Sequence, residues 1–377
     1  MAETFQEWRQ GAIEGLFLIA ADSNQQQPQA QEMARRLAAF IAGAKFTIHI
    51  AIYDFRLVSA TATPVLDALK ERGQAGVTIR IAYHQDRQMA HFAAAEFARI
   101  GGDPAPPGTG DFLAALDGTG IEIKPIDGQG HLMHNKYVIR DGMTPDAAVW
   151  MGSANFTDGA WSLQENNVLI LNSPDLAQYY DTDFRELFTS GSIKTTGRND
   201  TGTVEIGGEN VSVFFSPGEG RAIDLDIAQK IGAAQRRLLI ASMDISSGTI
   251  LGAINDSIAR PGLTVDGIFD RTQMEGVLKD WERSGSQQSL AKEQLFRAIA
   301  PHFHSKKSTP FAPQAPHDYM HDKLAVVDDT VITGSFNFSN NATQNAENVL
   351  QIESKAIADH YAAYIAALTQ KYPEKGL

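Results

Sequence analysis

The chain has 377 residues, 43% apolar and 20% charged, with no cysteine: a globular composition, long enough for two ordinary domains or one bilobed unit, that excludes disulfides and thiolate metal sites. A formal charge of −13 excludes non-specific capture of polyanions, so any polyanion site has to be a local basic patch. No apolar run is long enough to span a bilayer, and MAETFQEWRQGAIEG at the start has neither a positive leader nor an apolar stretch, so it does not read as a signal peptide and a cytoplasmic location is expected.

In chain order, AIEGLFLIAA (12–21) reads as a first strand and PQAQEMARRLAAFIAGA (28–44) as an amphipathic helix ending at Gly43. FTIHIAIYDF (46–55) is a strand, apolar on both faces, as expected beneath helices. TPVLDALKERGQAG (63–76) is helix and turn, and VTIRIAYH (77–84) a strand. Residues 85–120 form an insertion, with MAHFAAAEFARI as a helix and GGDPAPPGTGDF as a loop, its GTG a turn rather than a phosphate loop. The helix is read as a lid on the core, with lipid contact as the alternative. IEIKPID (121–127) is a strand; after residue 165, NNVLILN is a strand and DLAQYYDTDFRELFTS a helix.

GSIKTTGRNDTGTVEIGGEN (191–210), rich in Gly, Thr and Asn, reads as the connection between halves. It divides the chain into a first half, 1–192, a linker, 193–210, and a second half, 211–377. The element order then repeats. RRLLIASMDIS (236–246) matches KFTIHIAIYDF, with Asp244 in the place of Asp54. A second insertion fills 271–317, and IADHYAAYIAALTQKY is a closing helix. Alternating strands and helices predict an α/β fold: two α/β/α sandwich halves with mostly parallel sheets.

The repeat is sharpest in two stretches. Residues 134–165 carry His134, Lys136, Asp141, Gly152-Ser153-Ala154-Asn155 and Glu165; residues 321–347 carry His321, Lys323, Asp328, Gly334-Ser335-Phe336-Asn337 and Glu347. His-x-Lys on a strand puts imidazole and ammonium on one face, and the strand after the turn returns Ser and Asn beside them. Lys supplies charge for a phosphate, Asn and Ser hydrogen bonds, and His a nucleophile or proton carrier. Each Glu follows its Asn by ten positions, and the first copy has five extra residues in the turn.

Both copies resemble the phospholipase D superfamily, whose signature is His-x-Lys-Asp followed by Gly-Ser-x-Asn, and the ending VVDDTVITGSFNFSNNATQNAENVLQI looks most like its bacterial nuclease branch. The resemblance implies two halves facing each other about a pseudo-twofold axis, one shared site in a monomer, and metal-free, cofactor-free attack on a phosphodiester through a phosphohistidine. It implies His134 as nucleophile and His321 as acid and base, with Lys136, Lys323, Asn155 and Asn337 on the phosphate oxygens. Glu165 and Glu347 are expected each to accept from an imidazole Nδ1–H. Asp141 and Asp328 are expected to hold the hairpins, and Ser153 and Ser335 to bond within the site.

His131 and His317, just ahead of the motifs, line the site mouth or are ordinary loop histidines. Lys306 and Lys307, in PHFHSKKSTP, are a substrate-facing basic cluster or a solvated loop. A cation site is disfavoured because each motif histidine has a lysine beside it. Insertion 271–317 has seven Lys/Arg against four Asp/Glu, a local +3, which favours a nucleic-acid substrate. Phospholipid is the alternative, since apolar stretches occur in both insertions, and an inactive binding scaffold is a third reading.

Overall fold

The computed structural model describes residues 5–84, 108–312 and 315–377. MAHFAAAEFARI lies outside the described residues, as does most of the Gly/Pro loop after it.

The first half carries β1 (Phe5–Gln10), β2 (Ile13–Leu18), β3 (Thr47–Ile52), β4 (Phe55–Arg56), β5 (Thr78–His84), β6 (Glu122–Ile126), β7 (Lys136–Arg140), β8 (Ala148–Gly152), β9 (Phe156–Thr157) and β10 (Asn166–Leu171). Eight of these form one sheet in the order β1-β2-β10-β8-β7-β3-β5-β6, and β4 pairs with β9. The second half carries β11 (Gly202–Ile206), β12 (Glu209–Ser216), β13 (Arg237–Ser242), β14 (Thr264–Asp270), β15 (His304–Lys306), β16 (Lys323–Val327), β17 (Thr330–Gly334) and β18 (Glu347–Glu353). Their order, β11-β12-β18-β17-β16-β13-β14-β15, repeats the first sheet strand for strand. β11 falls in the stretch read as the connection, yet it pairs with β12 and belongs to the second sheet.

Both sheets are mixed, which corrects the expectation of mostly parallel strands. Only β3–β5–β6 and β13–β14–β15 run parallel. The motif strands are hairpins, β7 with β8 and β16 with β17, and hairpins are antiparallel by construction. Within these two sheets β3 passes to β5 through α2 (Ser59–Gln74) and β13 to β14 through its counterpart Gly248–Ile258, the crossovers that parallel neighbours need; the short β4–β9 pair is parallel as well.

The layers follow from which sheet face is apolar. Gln26–Ala42 and α2 cover the outer face of the first sheet around Ile48, Ile50, Val138 and Trp150. The outer face of the second is covered by Gly220–Ala233, Gly248–Ile258 and the two insertion helices, Arg271–Ser284 and Gln287–Ile299. The inner faces of both sheets share one core with helices Pro174–Ser190 and Lys355–Lys371, in which Tyr137, Tyr180, Phe215, Leu324, Tyr361 and Tyr364 are fully buried. The halves are therefore fused by a common hydrophobic layer. Their edges also interlock reciprocally: Met133 bridges to Ala346, and Glu165 to Met320.

Candidate active site

Each motif hairpin is fixed by its aspartate. Asp141, at φ 55°, accepts from the backbone N–H groups of Lys45, Phe46 and Thr47 at 2.7–3.1 Å. Asp328, at φ 51°, accepts from those of Gln235, Arg236 and Arg237 at 2.7–3.1 Å. Both hold the turn against the strand before it, away from the imidazoles. The glycine of Gly-Ser-x-Asn has a steric cause: at Gly152 and Gly334 (φ 157° and 154°) a Cβ would lie 2.1 Å from the carbonyl oxygens of Asn167 and Asn348. The next residues, Ser153 and Ser335, donate backbone N–H to those same oxygens at 3.0 Å.

His134, Lys136, His321 and Lys323 are buried, as are Asn155 and Asn337 in the sequence-related loops. Each lysine ammonium turns back onto its own motif: Lys136 Nζ donates to the carbonyl of His134 at 2.6 Å, and Lys323 Nζ to that of His321 at 2.5 Å. The histidine backbones are held by the opposite half, His134 N–H on Ala346 O at 2.8 Å and His321 N–H on Glu165 O at 3.0 Å. The two imidazoles and two ammoniums form one electrostatic unit. Burial first, then Lys136 and Lys323, hold His134 well below the usual histidine value; burial and the same two lysines do so for His321. In both rings Nε2 is buried with no hydrogen-bond partner among the described residues. Two imidazoles and two ammoniums at one point suit an anion.

A family model described as "Cardiolipin synthase, PLD-like domain" matches residues 37–188 and 227–369. The chain belongs to the phospholipase D-like domain family. Among solved structures, the phosphatidylserine synthase of Haemophilus influenzae is 14% identical, covering 97% of this chain and 88% of that one with a TM-score of 0.63; at that identity the likeness is one of fold. The polyphosphate kinase of Porphyromonas gingivalis is 10% identical over 89% of this chain and 47% of that one, with a TM-score of 0.51. The phospholipase D family member Nuc of Salmonella typhimurium is 25% identical over 42% of this chain and 93% of that one, with a TM-score of 0.31. No curated protein matches the chain.

The phospholipase D-like halves are not equivalent at the imidazoles. His134 Nδ1 meets Glu347 Oε2 across the interface at 2.7 Å, and Asn345 Nδ2 donates to the other carboxylate oxygen at 3.0 Å. Burial pushes Glu347 up to about 7, opposed by Lys136. His321 Nδ1 instead donates to Asn166 Oδ1 at 3.0 Å. That amide is oriented without ambiguity, because its Nδ2 donates to Ala160 O (3.0 Å) and Gln164 Oε1 (3.2 Å) while Oδ1 also accepts from Ser153 Oγ at 2.7 Å.

The expected contact of Glu165 with an imidazole is therefore corrected. Gly152 lies opposite Val168 and Gly334 opposite Val349. Counting back along those strands, position 166 and not 165 is the counterpart of Glu347. The loop of the first half is one residue longer, and the equal ten-residue offset is a coincidence. Glu165 is fully buried elsewhere: Lys306 Nζ at 2.6 Å, Tyr372 Oη at 2.6 Å and Ala20 N–H at 3.2 Å all donate to its carboxylate.

The remaining sequence candidates scatter. Lys306 is buried on Glu165 and not turned to solvent, whereas Lys307 is exposed. His131 is half-buried and lines a groove of about 1180 Å³ between the halves. His317 stacks with Tyr319, ring centroids 5.7 Å apart, and its carbonyl accepts from Gln164. Sequence reasoning missed Asn166, Tyr53 and Asp322. The Tyr53 ring sits edge-on to His134 at 4.8 Å. Asp322 accepts from Asn167 at 2.7 Å and Tyr364 at 2.7 Å. Aligning NNVL with ENVL, rather than counting from the motif asparagine, exposes Asn166. No metal-binding group of His, Asp and Glu occurs among the described residues, and none of their helices is long and apolar enough to cross a membrane.

Proposed function

We propose that the protein cleaves phosphodiesters through a covalent phosphohistidine on His134. The carrying observation is the pair of buried Nε2 atoms, one from each half, each with its Nδ1 anchored across the interface. His134 Nε2 gives its lone pair to phosphorus as the bond to the leaving oxygen breaks, and His321, which takes up a second proton on Nε2 when the anionic phosphate offsets the two ammoniums, protonates that oxygen. Water then attacks phosphorus, His321 takes its proton, and the P–N bond breaks. Lys136, Lys323, Asn155 and Asn337 hold the non-bridging oxygens.

The unequal partners support this division of roles. A carboxylate on Nδ1 offsets the positive charge that a phosphorylated imidazole acquires, so Glu347 suits the nucleophile. The neutral amide of Asn166 orients His321 without stabilising its cation, which leaves it a willing acid. In this reading the lysines carry the positive charge, and EDTA leaves the rate unchanged. One chain holds both half-sites, so a monomer is the working unit.

The substrate read first is nucleic acid. The groove between the halves carries Lys194, Arg198 and Arg221 beside His131, against Glu219 and Asp224, a net positive track for a chain of phosphates. The local +3 of insertion 271–317 adds less to this argument than the sequence suggests, since carboxylates outside it offset two of its cations, Glu165 at Lys306 and Glu374 at Arg271. A phospholipid substrate is the second reading, favoured by the description of the matching family model. Single-stranded DNA, RNA and mixed phospholipid vesicles incubated in parallel separate the two. Cut nucleic acid with intact lipid supports the first; headgroup release with intact nucleic acid replaces it. Acid-quenched labelled substrate should leave phosphate on His134, and label on His321 alone reverses the roles.

A further inference from the structure

The repeat makes an internal control for one carboxylate. β3 and β13 end in matching segments, Asp54-Phe55-Arg56 and Asp244-Ile245-Ser246. In the first half Arg56 closes Asp54, with Nε on Oδ1 at 2.7 Å and a second guanidinium nitrogen on Oδ2 at 3.0 Å, and Thr109 adds a hydroxyl at 3.3 Å. In the second half serine replaces the arginine. Asp244 is only 6% exposed, and its Oδ1 has no hydrogen-bond partner among the described residues. A buried carboxylate oxygen left so is costly and points to a missing donor.

Asp244 lines a cavity of about 530 Å³ with Ser246, Asp280, Trp281, Lys292, Asn340 and neighbouring side chains. Two of its walls are the insertion helices Arg271–Ser284 and Gln287–Ile299; the others are the end of β13 and the loop that follows Asn337. It adjoins the second motif directly: Ser242 pairs with Lys323 across β13 and β16, and Met243 N–H donates to Asp322 O at 3.0 Å. It is thus on the His321 side of the site, where in the mechanism proposed above the protonated alcohol departs and a second alcohol would enter.

We propose that this cavity is the subsite for the leaving or entering alcohol, and that Asp244 selects a polyhydroxylated one, a glycerol or sugar, by accepting from a hydroxyl beyond the reacting oxygen. This rests on the phosphodiesterase reading above. The lining favours a neutral alcohol over a cationic one: the Trp281 face is already taken by Lys292, its Nζ 4.8 Å from the ring centroid, and Lys292 and Arg283 balance the carboxylates of Asp244 and Asp280. Ser246, Asn340 and Asn341 offer neutral donors and acceptors, as a polyol needs.

The test is the partition of the phosphohistidine. Bis(4-nitrophenyl) phosphate serves as donor, with glycerol, ethanolamine or 1-propanol at equal concentration as competing acceptor. Alkyl nitrophenyl phosphate and nitrophenyl phosphate are then quantified by mass spectrometry. The ratio of transfer to hydrolysis should be about tenfold higher for glycerol than for 1-propanol, with ethanolamine no better than propanol. Asp244→Asn, and Ser246→Arg, which restores the arrangement of the first half, should each bring glycerol down to the level of propanol in protein that melts like wild type. Equal use of glycerol and propanol, preference for ethanolamine, hydrolysis alone with every alcohol, or an unchanged ratio in Asp244→Asn overturns the proposal. If no phosphohistidine forms at all, the parent reading has failed, and saturation-transfer NMR with glycerol still decides the subsite. Signal in wild type lost in Asp244→Asn upholds it, and no difference removes it.

Discussion

In the second half of the molecule Glu347 reaches across to His134, and the matching place in the first half is Asn166. In the first half Arg56 seals Asp54, and the matching place in the second is Ser246, beside an open carboxylate. Set against these differences, Asp141 and Asp328 make the same three backbone contacts, and Gly152 and Gly334 make the same close approach. What the backbone needs is duplicated faithfully. What faces the chemistry has separated, and in the mechanism proposed above the separation divides the work between two otherwise like histidines.

The comparison is broken most sharply at the imidazoles. His134→Ala and His321→Ala should each cut turnover by roughly 10⁴-fold or more, but with a nitrophenolate leaving group, which needs no acid, His321→Ala should still release one equivalent in a burst. A burst from His134→Ala instead would invert the assignment. Next is Glu165, the carboxylate misplaced by counting. Glu165→Leu leaves Lys306 buried and unpaired, a loss of about 3–5 kcal/mol in urea unfolding. Glu165→Leu with Lys306→Met should recover most of it, and a single variant as stable as wild type contradicts the buried pair.

Glu347→Gln makes the halves alike and should slow kcat about 100-fold, against about tenfold for Asn166→Ala. The opposite ranking would place the nucleophile on His321. The smallest effect concerns His84, which burial holds at about 4 against an ordinary 6.5. A depressed histidine adds stability that is full above 6.5 and is lost as pH falls toward 4. Between pH 7 and 5 the wild type should therefore lose about 2 kcal/mol on this account. His84→Gln should lose that much less, as read by thermal melts at the two pH values.

The repeat, the strand and helix order and both motifs were legible in the sequence, because a duplicated backbone demand leaves the same residues at the same offsets. The sheet direction was not. LAVVDD reads equally well as a parallel or an antiparallel strand, and only the hairpin that follows decides. Glu165 misled because a glutamate at an equal offset looks like a repeat, whereas strand register is set by pairing, and one added loop residue shifts every side chain after it. The partners that offset part of the charge of insertion 271–317 were equally hidden. A local +3 in sequence says nothing of whether Lys306 meets solvent or a carboxylate 141 residues away.

One feature of the interlocked edges bears on ancestry. Because each imidazole is oriented by a side chain from the other repeat, neither copy can be read as a self-sufficient ancestor. Two copies of the later repeat, facing each other as these do, would put a carboxylate behind both rings; two copies of the earlier one would put none. A fused chain can hold a carboxylate behind one ring and an amide behind the other, a freedom that no symmetric pair of identical subunits has.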